Sequence, residues 1–162
     1  MSQLLSRSKA VCEMGKGTCR TRLVAGIYGR CSMTGLECLV VALFFEARDQ
    51  PPFGIEMVAE TIMNRVASAR YPDDVCSVVY QKRQFSFTHD GMSDDPYDYD
   101  THFDKIALQS VKEIAVDYIE RASQNSGVTH YHTTSVTPSW SKSMEVYGIV
   151  GDHIFYVCNE RC

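Results

Sequence analysis

Apolar residues recur at helical spacing in three long stretches and then alternate in three short ones, so helices come first along the chain and strands afterwards. The first stretch opens at Thr34-Gly35-Leu36-Glu37, a Thr with Glu three positions on, which is the capping-box pattern. Leu36, Leu39, Val40, Leu43 and Ala47 then follow the helical period as one stripe of a strongly amphipathic helix, and Pro51-Pro52 stop it. A second helix is predicted from near Gly54 to about Ala69 on Ile55, Val58, Ala59, Ile62, Met63 and Val66, with Glu56 and Glu60 on its polar face. A third, from about Asp100 to Ala122, carries Phe103, Ile106, Ala107, Val111, Ile114, Ala115, Tyr118 and Ile119 and is closed by Asn125 and Gly127.

The connections are read from their turn residues. Tyr71-Pro72-Asp73-Asp74 is a turn, and the VCSVVYQ run after it is a short helix or strand that periodicity cannot decide. Gln84 to Thr88 alternates and is read as extended, and HDGMSDDPYDYD is an acidic, turn-rich loop. Val128 to Thr134 is a strand, Pro138 to Met144 a loop, and Val146 to Val150 and His153 to Val157 are two strands joined at Gly151-Asp152. Helices followed by a small antiparallel sheet make the fold class α+β.

One residue breaks the first helical stripe. At about 100° per residue Glu46 falls within about 20° of Leu39 and about 60° of Leu43, a carboxylate among apolar neighbours. Burial raises a carboxyl pKa, and a Glu with a raised pKa holds a proton near neutral pH that it can donate. Two readings stand at this point: a structural Glu paired to Arg48, Arg65 or a backbone amide, or a catalytic acid.

Length and composition narrow the setting. At 162 residues the chain fits one domain, residues 34–162, preceded by a basic arm or short helical preamble over residues 1–33 with Arg7, Lys9, Lys16, Arg20, Arg22 and Arg30. A net charge of -4 argues against nucleic acid as a partner. No apolar run is long enough for a transmembrane helix, and the chain start lacks the apolar core of a secretory signal. The expectation is therefore a monomer made in the cytoplasm without stable membrane insertion. The seven cysteines form no CxxC, reduced thiols are the default, and a Cys158 to Cys162 pair after export is a weaker alternative.

The blocks FFEARDQPPFGIEMVAETIMNRV, VCSVVYQKRQFSF, THYH, Pro138-x-Trp140 and GDHIFY, in that order over roughly residues 36–157, resemble the cell wall hydrolase family that includes the spore cortex-lytic enzyme SleB and many phage and proteobacterial relatives. The resemblance implies a lysozyme-like helical core and muramidase or lytic transglycosylase activity on peptidoglycan at the bacterial wall or periplasm, without a cofactor. It also implies that Glu46, in the Glu-Ala-Arg motif, is the catalytic acid. The family usually continues Glu-Ala-Arg-Gly-Glu, whereas this chain has Asp49 and Gln50, so any helper role for the second acid is in doubt.

With Glu56 and Glu60 read as solvated, no second acid matches Glu46, which favours transglycosylation to a 1,6-anhydro product over hydrolysis; Asp90, Asp94 or Asp95 folding over the cleft would reverse that. Gln84, Ser86, Thr88, Tyr131 and Trp140 match the family blocks and suit sugar hydroxyls and ring faces, Trp140 being either a stacking platform or a lid. His132 is read as a hydrogen-bond donor in the same cleft, while Phe85 and Phe87 belong to the core. A muramidase, or a zinc amidase or peptidase using His130, His132 and His153, is the alternative; the leading reading binds no metal. Small size and the absent signal suggest a phage endolysin-like enzyme.

Overall fold

The structure is a computed structural model that describes residues 33–82, 84–121 and 126–158, with the backbone of 20–22 and 28–30. It divides into two units, Met1–Met33 and Thr34–Cys162. In the first, β1 (Arg20–Arg22) pairs antiparallel with β2 (Tyr28–Arg30), where the sequence suggests an arm or helical preamble. Arg7, Lys9, Lys16, Cys12, Cys19, Cys31 and Cys162 lie outside the described residues.

The second unit is α+β, with helices α1 (Gly35–Ala47), α2 (Pro52–Ala67), α3 (Val75–Val79) and α4 (His102–Glu120), then strands β3 (Val128–Thr133), β4 (Glu145–Val150) and β5 (His153–Val157). The strands form one antiparallel sheet in the order β3-β5-β4. α1 starts as its sequence dictates: the Thr34 hydroxyl accepts the Glu37 amide at 3.2 Å, and Glu37 accepts the Thr34 amide at 2.6 Å. Pro51 caps α2 and Pro52 occupies its first turn, so the prolines that end one helix start the next, two residues earlier than the apolar period indicates.

α1 is not the one-sided helix its stripe predicts. Cys38, Val41, Ala42 and Phe44 are buried along with Leu39 and Leu43, because α2, α3 and α4 all pack around it. Glu60 is likewise buried rather than solvated, since the flank of α2 that carries it faces α4; there it helps burial push the Tyr118 phenol up to about 12. VCSVV is helical, with Asp74 accepting the Ser77 amide at 2.9 Å. Residues 86–89 form a 3-10 turn instead of an extended segment, and 139–143 another, while Phe85 and Phe87 still point into the core. The predicted close of α4 at Asn125 falls outside the described residues. Among the described residues no helix is long and apolar enough to cross a membrane.

Cys38 and Cys76 form a disulfide that ties α1 to α3, which corrects the expectation of reduced thiols for this pair. They stand 38 residues apart, so no local spacing marks them. Closing a loop of that length removes unfolded-chain entropy equivalent to about 4 kcal/mol. The C38S/C76S variant is expected to lose stability of about that size in urea unfolding. Identical midpoints for the parent with and without reductant would show that the bond contributes nothing.

Candidate active site

Glu46 sits in the last turn of α1, above the fully buried Leu39 and Leu43, and reaches the sheet side of the domain. Its Oε2 accepts a hydrogen bond from the Tyr131 hydroxyl of β3 at 3.2 Å. Oε1 is buried and has no hydrogen-bond partner of ordinary geometry. Burial raises the pKa of Glu46, and the Tyr131 hydroxyl, the Ser86 amide and the positive charge of Arg65 oppose the rise in that order. The net direction is upward. Arg48, the neighbour in sequence, does not pair with Glu46: its guanidinium lies 3.5 Å from Asp104 of α4 and 4.6 Å from the Phe44 ring centre.

Tyr131 is held by its surroundings rather than by its own strand. At the start of β3 the ladder with β5 shifts register between Val128 and His130. Side chains of α2 take the carbonyls at this bulge: Asn64 Nδ2 donates to Val128 O at 3.0 Å and Arg65 Nε to Thr129 O at 2.8 Å. Tyr131 then projects to the helix side, against His153 and Phe155 with ring centres 5.0 and 5.6 Å away. Burial and the Glu46 charge raise its pKa well above 10.0, so it stays a hydroxyl donor.

The position at which the chain departs from the family pattern has a defined job. Gln50 Oε1 accepts the Asp152 amide at 2.9 Å, while Nε2 donates to Asp49 at 3.0 Å and to Asp152 at 3.4 Å. Gln50 thereby ties the β4–β5 turn to the end of α1. The turn needs glycine at 151, where φ is +56° and a Cβ would stand 2.3 Å from Gln50 Oε1.

The sheet separates residues that the sequence places in one cleft. Tyr131 pairs with Phe155 and Thr133 with His153, so these share the face toward Glu46. His130 and His132 pair with Tyr156 and Ile154 on the other face. There Trp140 packs against His130, His132 and Tyr156 at ring distances of 5.3 to 5.5 Å. His132 and Trp140 are therefore placed on the sheet face opposite Tyr131 and not beside Glu46. Both His132 nitrogens are engaged, Nδ1 with Thr133 O and Nε2 with the Tyr156 hydroxyl, each at 2.8 Å. His153 lies on the sheet face opposite His130 and His132, so the structure does not bring the three histidines of the zinc alternative together. Burial, helped by Arg65, lowers the His130 pKa to about 4.

Of the remaining predicted residues, Ser86 contributes its backbone amide, and Gln84 is exposed on the same segment. Thr88 donates to Phe85 O at 2.9 Å and braces the turn. The acidic loop is also occupied locally: Asp90 and Asp95 accept amides of Met92 and Tyr97, and Asp98 takes the Ser93 hydroxyl. Among the described residues no carboxylate is one of the groups that shift the Glu46 pKa. Sequence reasoning named Arg65 only as a possible partner of Glu46 and Gln50 only as a departure from the family pattern, and gave neither a place in the site. Arg65 carried a usable signal, since it falls within about 20° of Val58 on the apolar stripe of α2.

A helical core, a small antiparallel sheet and, at their junction, one buried carboxyl whose pKa burial raises define an α+β domain. The chain belongs to the cell wall hydrolase family: a family model described as Cell Wall Hydrolase matches residues 49–156. Glu46 precedes the matched segment, so its assignment stands on the geometry. The chain is similar to the spore cortex-lytic enzymes of Halalkalibacterium halodurans, 30% identical over 125 residues, and of Bacillus cereus, 26% over 128 residues. Each match covers 76% of this chain but 34% and 44% of those proteins, so the chain spans less than half of the curated relatives. In structure it resembles the catalytic domain of the germination-specific lytic transglycosylase SleB from Bacillus anthracis, with a TM-score of 0.61 and 24% identity, covering 83% of this chain and 99% of that one.

The raised pKa has a consequence for stability with a definite sign. Above the ordinary carboxyl value of 4.5 the unfolded chain has released the Glu46 proton while the native state still holds it. Native stability therefore falls as pH rises from there through the folded-state pKa. Glu46→Gln keeps the neutral form at every pH, so in urea unfolding it is expected to gain on the parent as pH rises from 4 to 8. A parent advantage that grows toward pH 8 would contradict the assignment. Tyr131→Phe removes a donor to the carboxylate and is expected to raise the Glu46 pKa further, read by carbon NMR of the labelled carboxyl.

Proposed function

We propose that the domain cleaves the glycosidic bond between N-acetylmuramic acid and N-acetylglucosamine in peptidoglycan as a lytic transglycosylase. The observation that carries this reading is Glu46: a buried acid with a raised pKa and, among the described residues, no carboxylate partner. A glycosidic oxygen leaves only when protonated, and Glu46 is built to supply that proton. As the bond from C1 to the leaving oxygen breaks, Glu46 becomes a carboxylate. It then takes the proton of the C6 hydroxyl on the same sugar, whose oxygen bonds to C1 and closes the 1,6-anhydro ring. The acid ends the cycle protonated, and no water is consumed.

Hydrolysis by either usual route asks for a second carboxylate across the bond. The family membership and the names of the relatives, a cortex-lytic enzyme and a lytic transglycosylase, support peptidoglycan as the substrate and the bacterial wall as the place of action.

Glu46→Gln is expected to lower fragment release from purified peptidoglycan by about 10²–10⁴-fold while the melting temperature is kept or raised. Mass spectrometry of the parent's products is expected to find anhydromuramic ends. Reducing ends would identify a hydrolase instead, and near-parental cleavage by the Gln variant would remove Glu46 from the mechanism.

A further inference from the structure

Arg65 is a buried cation with unusual company. It is 5% exposed, and among the described residues it makes no ion pair. Its Nε donates to Thr129 O, it hydrogen-bonds the Tyr71 side chain, its guanidinium carbon lies 5.5 Å from the Tyr71 ring centre and 5.8 Å from that of Phe85, and among the described residues Nη1 is buried without a hydrogen-bond partner. Burying a guanidinium without a paired carboxylate is unfavourable unless its charge is used. The two segments it grips are those that feed Glu46. Thr129 stands two residues before Tyr131, the hydroxyl donor, and Phe85 immediately precedes Ser86, whose amide faces the carboxyl.

We propose that Arg65 is a positioning residue for Glu46: one guanidinium fixes both segments that carry the donors to the acid and supplies the standing positive charge against which Glu46 alternates between acid and carboxylate. This rests on the reading of Glu46 as general acid and then base. The groups around that acid are few. Tyr131 comes from β3, the Ser86 amide from the segment after α3 and Arg65 from α2, Arg48 of its own helix is engaged with Asp104 of α4, and His153 of β5 packs against the Tyr131 ring. Around Arg65 stand Tyr71, Tyr131, Glu46 and His130, none of them a second carboxylate. The charge lowers the proton affinity of Glu46, which opposes the effect of burial and favours the carboxylate that must accept the C6 hydroxyl proton.

The test compares the parent with Arg65→Gln, Arg65→Lys and Glu46→Gln. Carbon NMR of labelled Glu carboxyls follows the Glu46 titration, its signal assigned by its loss in Glu46→Gln, and kcat and KM are measured on soluble glycan strands against pH. In Arg65→Gln the Glu46 pKa is expected to rise by about one pH unit, carrying the alkaline limb of the rate profile with it. kcat is expected to fall about tenfold with KM unchanged. In Arg65→Lys the charge remains but the planar fork is lost, so the pKa stays near the parent's while kcat falls. A purely structural Arg65 would lower stability without moving the titration; an unshifted Glu46 in folded Arg65→Gln overturns the proposal. Should that variant not fold, Arg65→Lys decides: parental kcat overturns the proposal, and reduced kcat at parental KM supports it. The NMR titration does not depend on catalysis. Cleavage by Glu46→Gln would therefore sink the functional reading separately.

Discussion

The bond from the Tyr131 hydroxyl to the Glu46 carboxyl joins the helical core to the sheet at the point where chemistry is proposed. It reconciles two opposed demands. A carboxyl dry enough to hold a proton near neutrality loses the hydration that would stabilise its charged form, and an unpaired buried carboxylate costs several kcal/mol. One hydroxyl donor, one nearby amide and one distant cation reduce that cost without cancelling the pKa rise. A direct Arg pair would have cancelled it, and Arg48 is kept away by Asp104 and by the Phe44 and Tyr99 rings.

Much of the remaining architecture serves this junction. Asn64 and Arg65 hold the bulge that sets the start of β3, and Gln50 ties the β4–β5 turn to the end of α1. The Cys38–Cys76 bond anchors α1 to α3 two turns before the acid. None of these contacts is local in sequence: Gln50 and Asp152 are 102 residues apart, and Arg65 and Thr129 are 64 apart. The geometry of Glu46 is thus assembled from both ends of the domain.

The sheet itself acts as a partition. Strand alternation sends Tyr131 to the acid and His130 and His132 to the opposite side, where they build an aromatic cluster with Trp140 and Tyr156. A block such as THYH therefore mixes two environments. Motif order identified the family correctly, but it could not say which residue of the block faces which side, because that depends on pairing with β5.

The capping box at Thr34, the proline boundary, the turn at Gly151-Asp152 and the anomaly at Glu46 were legible in the sequence because each is governed by neighbours within one or two turns. Arg65, named from the sequence only as a possible partner of Glu46, also lies on the apolar stripe of α2. What periodicity could not show was how many faces of a helix are covered. α1 is wrapped on nearly all sides and Glu60 is buried against α4, since burial depends on which elements pack around a helix and not on its own pattern. The Cys38–Cys76 bond, the engaged nitrogens of His132 and the carbonyls held by Asn64 and Arg65 likewise arise only when distant segments meet. The sequence alone determined the three long helices, the three C-terminal strands, the family pattern and an acid where hydrocarbon was expected; tertiary structure decided what surrounds that acid, because a pKa is set by the solvent excluded and the charges and donors that packing brings within reach.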